Sequence, residues 1–470
     1  MWEMKSYPES RTRWGSSAVA VLALLLSVLS PSLEAQQPAW TTLEGFWLSD
    51  GYGLLVEIRG KTLSTFELTA ISCILSRTLT HQPELSAGGE VTFHEGATVV
   101  RIAPVGRDSA RLHYDGNASD IVLHRSASRP EPCAQLPPNT PEENYAIFWQ
   151  TFAENYAFFG LRHLDWQAVG RKFRPQATAS TKPEDLFQVF RSMVEPLQDA
   201  HTEIDAGDIR QEFEGWRPDP NHLEDADWEK AHALVNSRYV QGGLRSFCNG
   251  HVEFGILPHN IGYLRITTFY GYSDQEGYSA ALIALDQALD SIFQSAESLT
   301  GLIIDVRLNK GGDDPLGIEI ASRLTTARYL AYSKIARNDA GSGLHFSSAQ
   351  KCWVIPSKRS LYRGNVVLLT GPDTVSAGET FAMALMGREP AVTRIGEDTQ
   401  GVFSDVLIRS LPNGWHFGLP NEIYLTRDGR SFDGEGVPPD IRVPRYSSDD
   451  LSRGRDAALD RAIAFLSPPS

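Results

Sequence analysis

The sequence predicts an α/β protein: a core of alternating strands and helices, preceded by a helical segment and a small N-terminal β domain. Three observations lead there. From Ile261 onward, apolar strand-type runs alternate with amphipathic helical runs, the pattern of a strand–helix core. Between Trp40 and His124, short apolar runs are broken by Gly and Asp turns, as in antiparallel β structure. Between these regions, Tyr145, Phe148, Trp149, Phe152 and Tyr156 recur at helical spacing.

The 470 residues allow several domains and a sizeable core, and a hydrophobic share of 41% with 21% charged is globular. A formal charge of −15 argues against nucleic acid as a partner. At the N-terminus, Lys5, Arg11 and Arg13 precede the apolar run Ala18–Leu29, and Ser32-Leu-Glu-Ala35 follows. This charged, apolar, small-residue order predicts a secretory leader over 1–35 and an exported protein, periplasmic or extracellular. An uncleaved anchor is the competing reading; once the leader is removed, no stable membrane insertion is expected. None of the four cysteines forms a C-x-x-C pair. Pairing Cys73 with Cys133 and Cys248 with Cys352 would keep each bridge within one domain.

The β domain is expected over 36–128, with strands near Gly53–Arg59, Ala97–Ala103 and Ile121–His124. A linker with five prolines among Arg129–Pro141 follows, taken as 129–140. The helical segment spans 141–208. Its second helix is expected to start at Thr181, where Thr181-x-x-Glu184 can form a capping box. Residues 209–258 connect to the core without a clear assignment. The core, 259–447, has strands at Ile261–Ile266, Gly301–Arg307 and Val366–Thr370, and helices at Ala280–Phe293, from about Leu316, and from about Ser376. Segments 402–410 and 415–425 flank Pro412-Asn413-Gly414 and read as a hairpin. A C-terminal helix and tail occupy 448–470.

The chemistry concentrates at the carboxyl ends of the core strands. In Gly371-Pro-Asp-Thr-Val-Ser376-Ala-Gly-Glu379, a serine stands where a buried strand turns into a helix. There its hydroxyl is exposed, and free amides and the positive helix end face developing negative charge. In Asp305-Val-Arg307-Leu-Asn309-Lys-Gly311-Gly312, paired glycines after a strand could supply a second oxyanion amide. A serine nucleophile needs a base. No Lys follows Lys358, which excludes a downstream lysine. That leaves histidine: His201, past a helix end, with His416 as its competitor. Phe432-Asp433-Gly-Glu435-Gly offers acids to orient an imidazole. No H-E-x-x-H or dinucleotide fingerprint occurs, so no metal or organic cofactor is implied.

Four segments in order, Leu197-Gln-Asp-Ala-His201-Thr202, Asp305–Gly312, Thr374–Glu379 and Phe432–Asp440, resemble the serine peptidases of the tail-specific (C-terminal processing) protease and tricorn core family. That family also includes interphotoreceptor retinoid-binding protein. The resemblance covers roughly Pro141 to Pro444. It implies a crotonase-like α/β core, Ser376 as nucleophile, and an oxyanion hole from Ala377 with Gly312 or Gly311. Tail-specific members use a Ser–Lys dyad, and Val402 stands at the lysine position here. The chain is therefore closer to the histidine-based tricorn type, with His201 as base and Asp433 as the acid, Glu435 being the fallback. It departs from tricorn in Ala200, where the second serine stands, and in Asp433 for Glu. The interval from His201 to Ile261 is too short for the usual PDZ module. The function implied is an exported serine peptidase acting on peptides or proteins, an oligomer being compatible. The alternative is an inactive member that binds a hydrophobic ligand or peptide.

Overall fold

The computed structural model describes residues 39–83, 89–216, 225–294, 296–338, 345–446 and 448–467. The leader expected over 1–35 lies outside the described residues. These described residues cluster as one compact unit.

The N-terminal strands are β1 (Gly45–Ser49), β2 (Leu54–Arg59), β3 (Thr62–Leu68), β4 (Cys73–His81), β5 (Val91–Glu95), β6 (Thr98–Pro104), β7 (Ser109–Tyr114) and β8 (Ile121–Ser126). They form a closed antiparallel barrel, because β1 pairs with both β2 and β8. Closure leaves no free sheet edge. Val56, Ile58, Leu63, Phe93 and Ile102 fill the interior around Trp47. On the outer face, Leu55 and Phe66 pack with Cys73 and Cys133. The Cys73–Cys133 disulfide ties the linker to β4. Cys248 and Cys352 do not pair. Both are buried free thiols whose titration burial pushes up to about 12. They sit on a short turn and inside a strand, each surrounded by core side chains.

Helices α1 (Pro141–Asn155), α2 (Trp166–Phe173) and α3 (Pro183–Val194) follow. The capping box expected at Thr181 does not form. Helix α3 starts at Pro183 with Lys182 in the cap position, and the Thr181 hydroxyl donates to the Gln176 carbonyl at 2.8 Å. Proline at the first helical position sets the start, since its fixed φ suits a helix and its missing N–H is one that would be unpaired anyway.

Next come β9 (Glu203–Ala206), β10 (Gln211–Glu214), α4 (Asp225–Arg238), β11 (Gln241–Phe247), β12 (Val252–Leu257), β13 (Ile261–Ile266), α5 (Tyr278–Phe293), β14 (Gly301–Asp305), α6 (Asp314–Ser322), β15 (Tyr329–Ala336), β16 (Gln350–Val354), β17 (Val366–Thr370), α7 (Ala377–Leu385), β18 (Thr393–Gly396), β19 (Val406–Ser410), β20 (His416–Pro420), β21 (Glu422–Leu425), β22 (Ile441–Arg442), α8 (Ser448–Ser452) and α9 (Ala457–Leu466). The main sheet has the order β11-β12-β13-β14-β17-β18-β22, parallel from β13 onward. Its central strands are buried on both faces. Leu302, Ile304 and Leu368 pack with residues of α5, α6 and α7, whereas Ile303, Val367 and Leu369 pack with residues of α4 and α9. That is why these strands read as unbroken apolar runs.

The hairpin expected around Pro412–Gly414 forms as β19 and β20. Beyond Pro420 the chain leaves for a second sheet, β16-β15-β21. Proline has no N–H with which to extend the ladder. The sheet β10-β9-β20-β19 shares one apolar cluster with α1 and α3, through Phe148, Phe152, Phe190, Ile204, Trp415 and Phe417. The barrel is bonded to the core. The Tyr52 hydroxyl donates to Glu422 at 2.6 Å, and the Asn338 amide donates to Asp50 at 2.8 Å.

Candidate active site

Ser376 stands between β17 and α7 with φ +54° and ψ −121°. This left-handed conformation is costly for a non-glycine residue and typical of strained turns at functional sites. It matches the logic of a nucleophile elbow. The main-chain N–H of Ser376 donates to the Val402 carbonyl at 3.0 Å and to Glu379 at 3.2 Å. Glu379 is fully buried and gathers the site. It accepts from the Thr399 hydroxyl at 2.5 Å, the Gly401 amide at 2.6 Å and the Val402 amide at 2.7 Å. Burial pushes its carboxyl up to about 7, against the pull of these donors. Sequence reading quoted Glu379 without giving it this role. The Ser-x-x-Glu spacing of a capping box was the available signal.

The glycine loop lies against the serine. A Cβ on Gly311 would stand 2.7 Å from Ser376 Cβ and 3.3 Å from its Oγ, so no side chain fits. The Gly311 amide is taken by Asn309 Oδ1 at 2.9 Å. Its carbonyl accepts from the Phe269 amide and the Thr268 hydroxyl. Gly312 bridges Phe269 in parallel fashion, through bonds made by its neighbours Gly311 and Asp313. Its own N–H therefore points away from Phe269. Among the described residues, the amides of Gly312 and Ala377 have no acceptor.

His201 follows the short helical turn after α3. Gln198 takes φ +48°, and Asp199 Oδ1 accepts the His201 amide at 3.1 Å. Asp199 is itself held by the Tyr156 hydroxyl at 2.8 Å and by Arg162 at 3.3 Å. Sequence reading did not single out Asp199, Arg162 or Tyr156 for this task. Burial holds the His201 imidazole below its ordinary range, against the charges of Asp199 and Asp405 and the Ser404 carbonyl. Its Nδ1 is buried without a partner. His201, Asp199, Asp433 and the segment Gly401–Ser404 line one narrow cleft.

The structure brings Ser376 and His201 to the same segment from two sides, one through Val402 and the other through Ser404. No hydrogen bond joins Ser376 Oγ to His201 among the described residues. Asp433 lines the cleft, but its bonds go to the Ser431 hydroxyl at 2.7 Å and the Phe403 amide, not to the imidazole. Burial pushes its carboxyl up to about 7. Glu435 is exposed and ion-paired with Arg430 at 3.0 Å. His416 is exposed on β20, 3.2 Å from the Ser410 hydroxyl and outside the cleft. No cluster suited to a metal ion occurs among the described residues.

A serine on a strained turn, free amides beside it and a histidine in an adjoining cleft are the groups that serine hydrolysis requires. Residues 260–443 match the model of peptidase family S41, and residues 137–195 match that of the tricorn protease C1 domain. Residues 260–443 are a peptidase family S41 domain, and the chain is a serine-type peptidase. The barrel lies outside both matched regions. Similar solved structures include a protein assigned as a peptidase from Parabacteroides merdae ATCC 43184, at 24% identity over 71% of this chain and 98% of that one, with a TM-score of 0.59. Mature CPAF is similar at 13% identity over 70% and 97% of the two chains, with a TM-score of 0.52. The photosystem II D1 C-terminal processing protease matches at 15% identity over 68% and 99%, with a TM-score of 0.42. At these identities the first two likenesses are of fold.

Proposed function

We propose that this chain is an exported serine peptidase, with a crotonase-like core, that cleaves peptides or proteins through an acyl-enzyme on Ser376. The observation that carries this reading is the half-buried Ser376 on its left-handed turn, beside the two unpaired amides of Gly312 and Ala377. His201 takes the Ser376 proton as the hydroxyl attacks the peptide carbonyl, then passes it to the leaving amine. The oxyanion accepts from the Gly312 and Ala377 amides at the N-terminus of α7. Gly311 is spent on Asn309, so Gly312 is the better donor. Asp433 is the acid that pairs with the imidazolium. The cleft it shares with His201 and the empty Nδ1 support this. The bond forms on closure around substrate, since catalytic hydrogen bonds often tighten only in the complex. The Cys73–Cys133 disulfide supports an oxidising compartment, and no helix among the described residues is long and apolar enough to cross a membrane.

Fluorophosphonate labelling of the intact protein, followed by peptide-library cleavage, tests the assignment. An unlabelled wild-type protein would favour the non-catalytic binding alternative. The pH profile tests the acid. Asp433 must be ionised and His201 neutral, so activity rises with pH through both titrations, and the higher one sets the limb. Wild type should therefore show an acid limb in kcat/KM near pH 7, the position of Asp433. Asp433→Asn should lower kcat by roughly 10- to 10⁴-fold. It should also move the residual limb below the ordinary histidine range, where His201 titrates. A limb that stays near 7 in Asp433→Asn would assign it to Glu379 instead. Glu435→Gln should leave the profile unchanged.

A further inference from the structure

Two buried polar atoms on the narrow cleft have no hydrogen-bond partner, His201 Nδ1 and Arg162 Nε. The first is the atom that Asp433 would meet. The second belongs to a side chain that the relay does not use. Arg162 is the one permanent cation among the described residues lining the cleft, which it shares with two carboxyl groups, Asp199 and Asp433. Its side chain is only 13% exposed, and Nη2 lies 3.3 Å from Asp199 Oδ2. A buried donor left unused costs stability, so packing alone does not account for this residue.

Arg162 sits in the loop between α1 and α2, where its amide donates to the Phe158 carbonyl at 2.9 Å. This loop touches both halves of the acid–base pair. Tyr156 and Arg162 bond one oxygen of Asp199, whose other oxygen accepts the His201 amide at 3.1 Å. Leu161 packs on the acid's own loop, since a Cβ on Gly434 would stand 3.2 Å from Leu161 Cδ2.

The charges around the pair give the cation a task. Burial disfavours the ionised form of Asp433, and the carboxyl groups of Glu379 and Asp199 add to that. The imidazole of His201 is faced by Asp199 and Asp405, and Asp405 is paired with Lys334 at 2.9 Å. Arg162 itself is faced by Asp199 and by Tyr156, whose hydroxyl burial keeps protonated. Without Arg162, a bare carboxylate at position 199 would face both Asp433 and His201.

We propose, on the peptidase reading given above, that Arg162 is a positioning residue: it offsets the charge of Asp199 and so lets Asp433 pair as a carboxylate with His201. Removing the cation disfavours the carboxylate at Asp433 and favours the imidazolium at His201. The reaction needs the first ionised and the second neutral, so both changes move the acid limb to higher pH.

The test is the pH profile of the fluorophosphonate labelling rate on the full chain, with a thermal midpoint for each variant. Arg162→Gln should move the acid limb up by about one pH unit, a roughly tenfold loss of rate below the limb. Arg162→Lys, which keeps the charge, should restore the limb. Asp199→Asn should move it down, and the double variant Arg162→Gln/Asp199→Asn should bring it back toward wild type. An unmoved limb in folded Arg162→Gln protein overturns the proposal. An equal upward shift in Arg162→Lys or in the double variant also overturns it, because the effect then does not depend on charge. Should Arg162→Gln not fold, a limb that fails to fall in Asp199→Asn overturns it. The two readings fail separately. A wild type that takes no label sinks the peptidase assignment, whereas a labelled wild type with an unmoved limb in Arg162→Gln sinks only the role of Arg162.

Discussion

Ser376→Ala protein should carry no fluorophosphonate label and should hydrolyse peptides roughly 10⁴–10⁶-fold more slowly than wild type. The size follows from chemistry: without Oγ no acyl-enzyme forms, and only the oxyanion amides and substrate positioning remain. Stability should hold. The Ser376 main-chain amide bonds Val402 and Glu379, and alanine keeps that amide. Losing a serine at a helix cap costs about 0.5–2 kcal/mol. The check is labelling, kinetics and a thermal midpoint on the same preparation. Label retained by a folded Ser376→Ala protein would place the nucleophile elsewhere.

The largest loss of stability should come from Arg307→Met. Arg307 is fully buried at the end of the strand that leads to the glycine loop. Its Nε and Nη2 donate to Asp305 at 2.9 and 2.6 Å. Nη1 and Nη2 donate to Asp456 at 2.8 Å each. Its guanidinium lies over the Tyr446 ring at 4.3 Å. The two carboxylates outweigh the desolvation of the cation and raise its basicity further. Methionine fills similar space but leaves Asp305 and Asp456 buried together without a cation. Breaking a buried pair this way costs about 3–5 kcal/mol, a large part of the 5–15 kcal/mol of a typical domain. Denaturant unfolding should show a lowered midpoint. Asp456→Asn should cost less, because Arg307 then keeps Asp305. Equal stability of Arg307→Met and wild type would refute the role of this knot.

Asp456 also caps α9, accepting the Leu459 amide at 3.0 Å. The same cluster thus joins the C-terminal helix to the strand behind the oxyanion loop. In the sequence, Arg307 and Asp456 are 149 positions apart, and nothing in the local pattern pairs them.

How much the sequence determined depends on the range of the interaction. Strand, turn and helix around Ser376 follow from local pattern, since an unbroken apolar run and a helical period need only neighbours. The lack of any lysine after Lys358 removed one mechanism outright. The glycine pair marked the place where a side chain would strike Ser376. Tertiary structure decided what depends on distant partners. Asn309 takes the Gly311 amide and leaves that of Gly312 free. Glu379 binds Thr399, Gly401 and Val402 across a loop. Cys248 and Cys352 stay unpaired, each enclosed by core side chains. The barrel closes because β8 returns to β1, a contact that strand period does not encode. Periodicity reports which face of an element is buried. Which donor meets which acceptor is settled only when remote segments pack together.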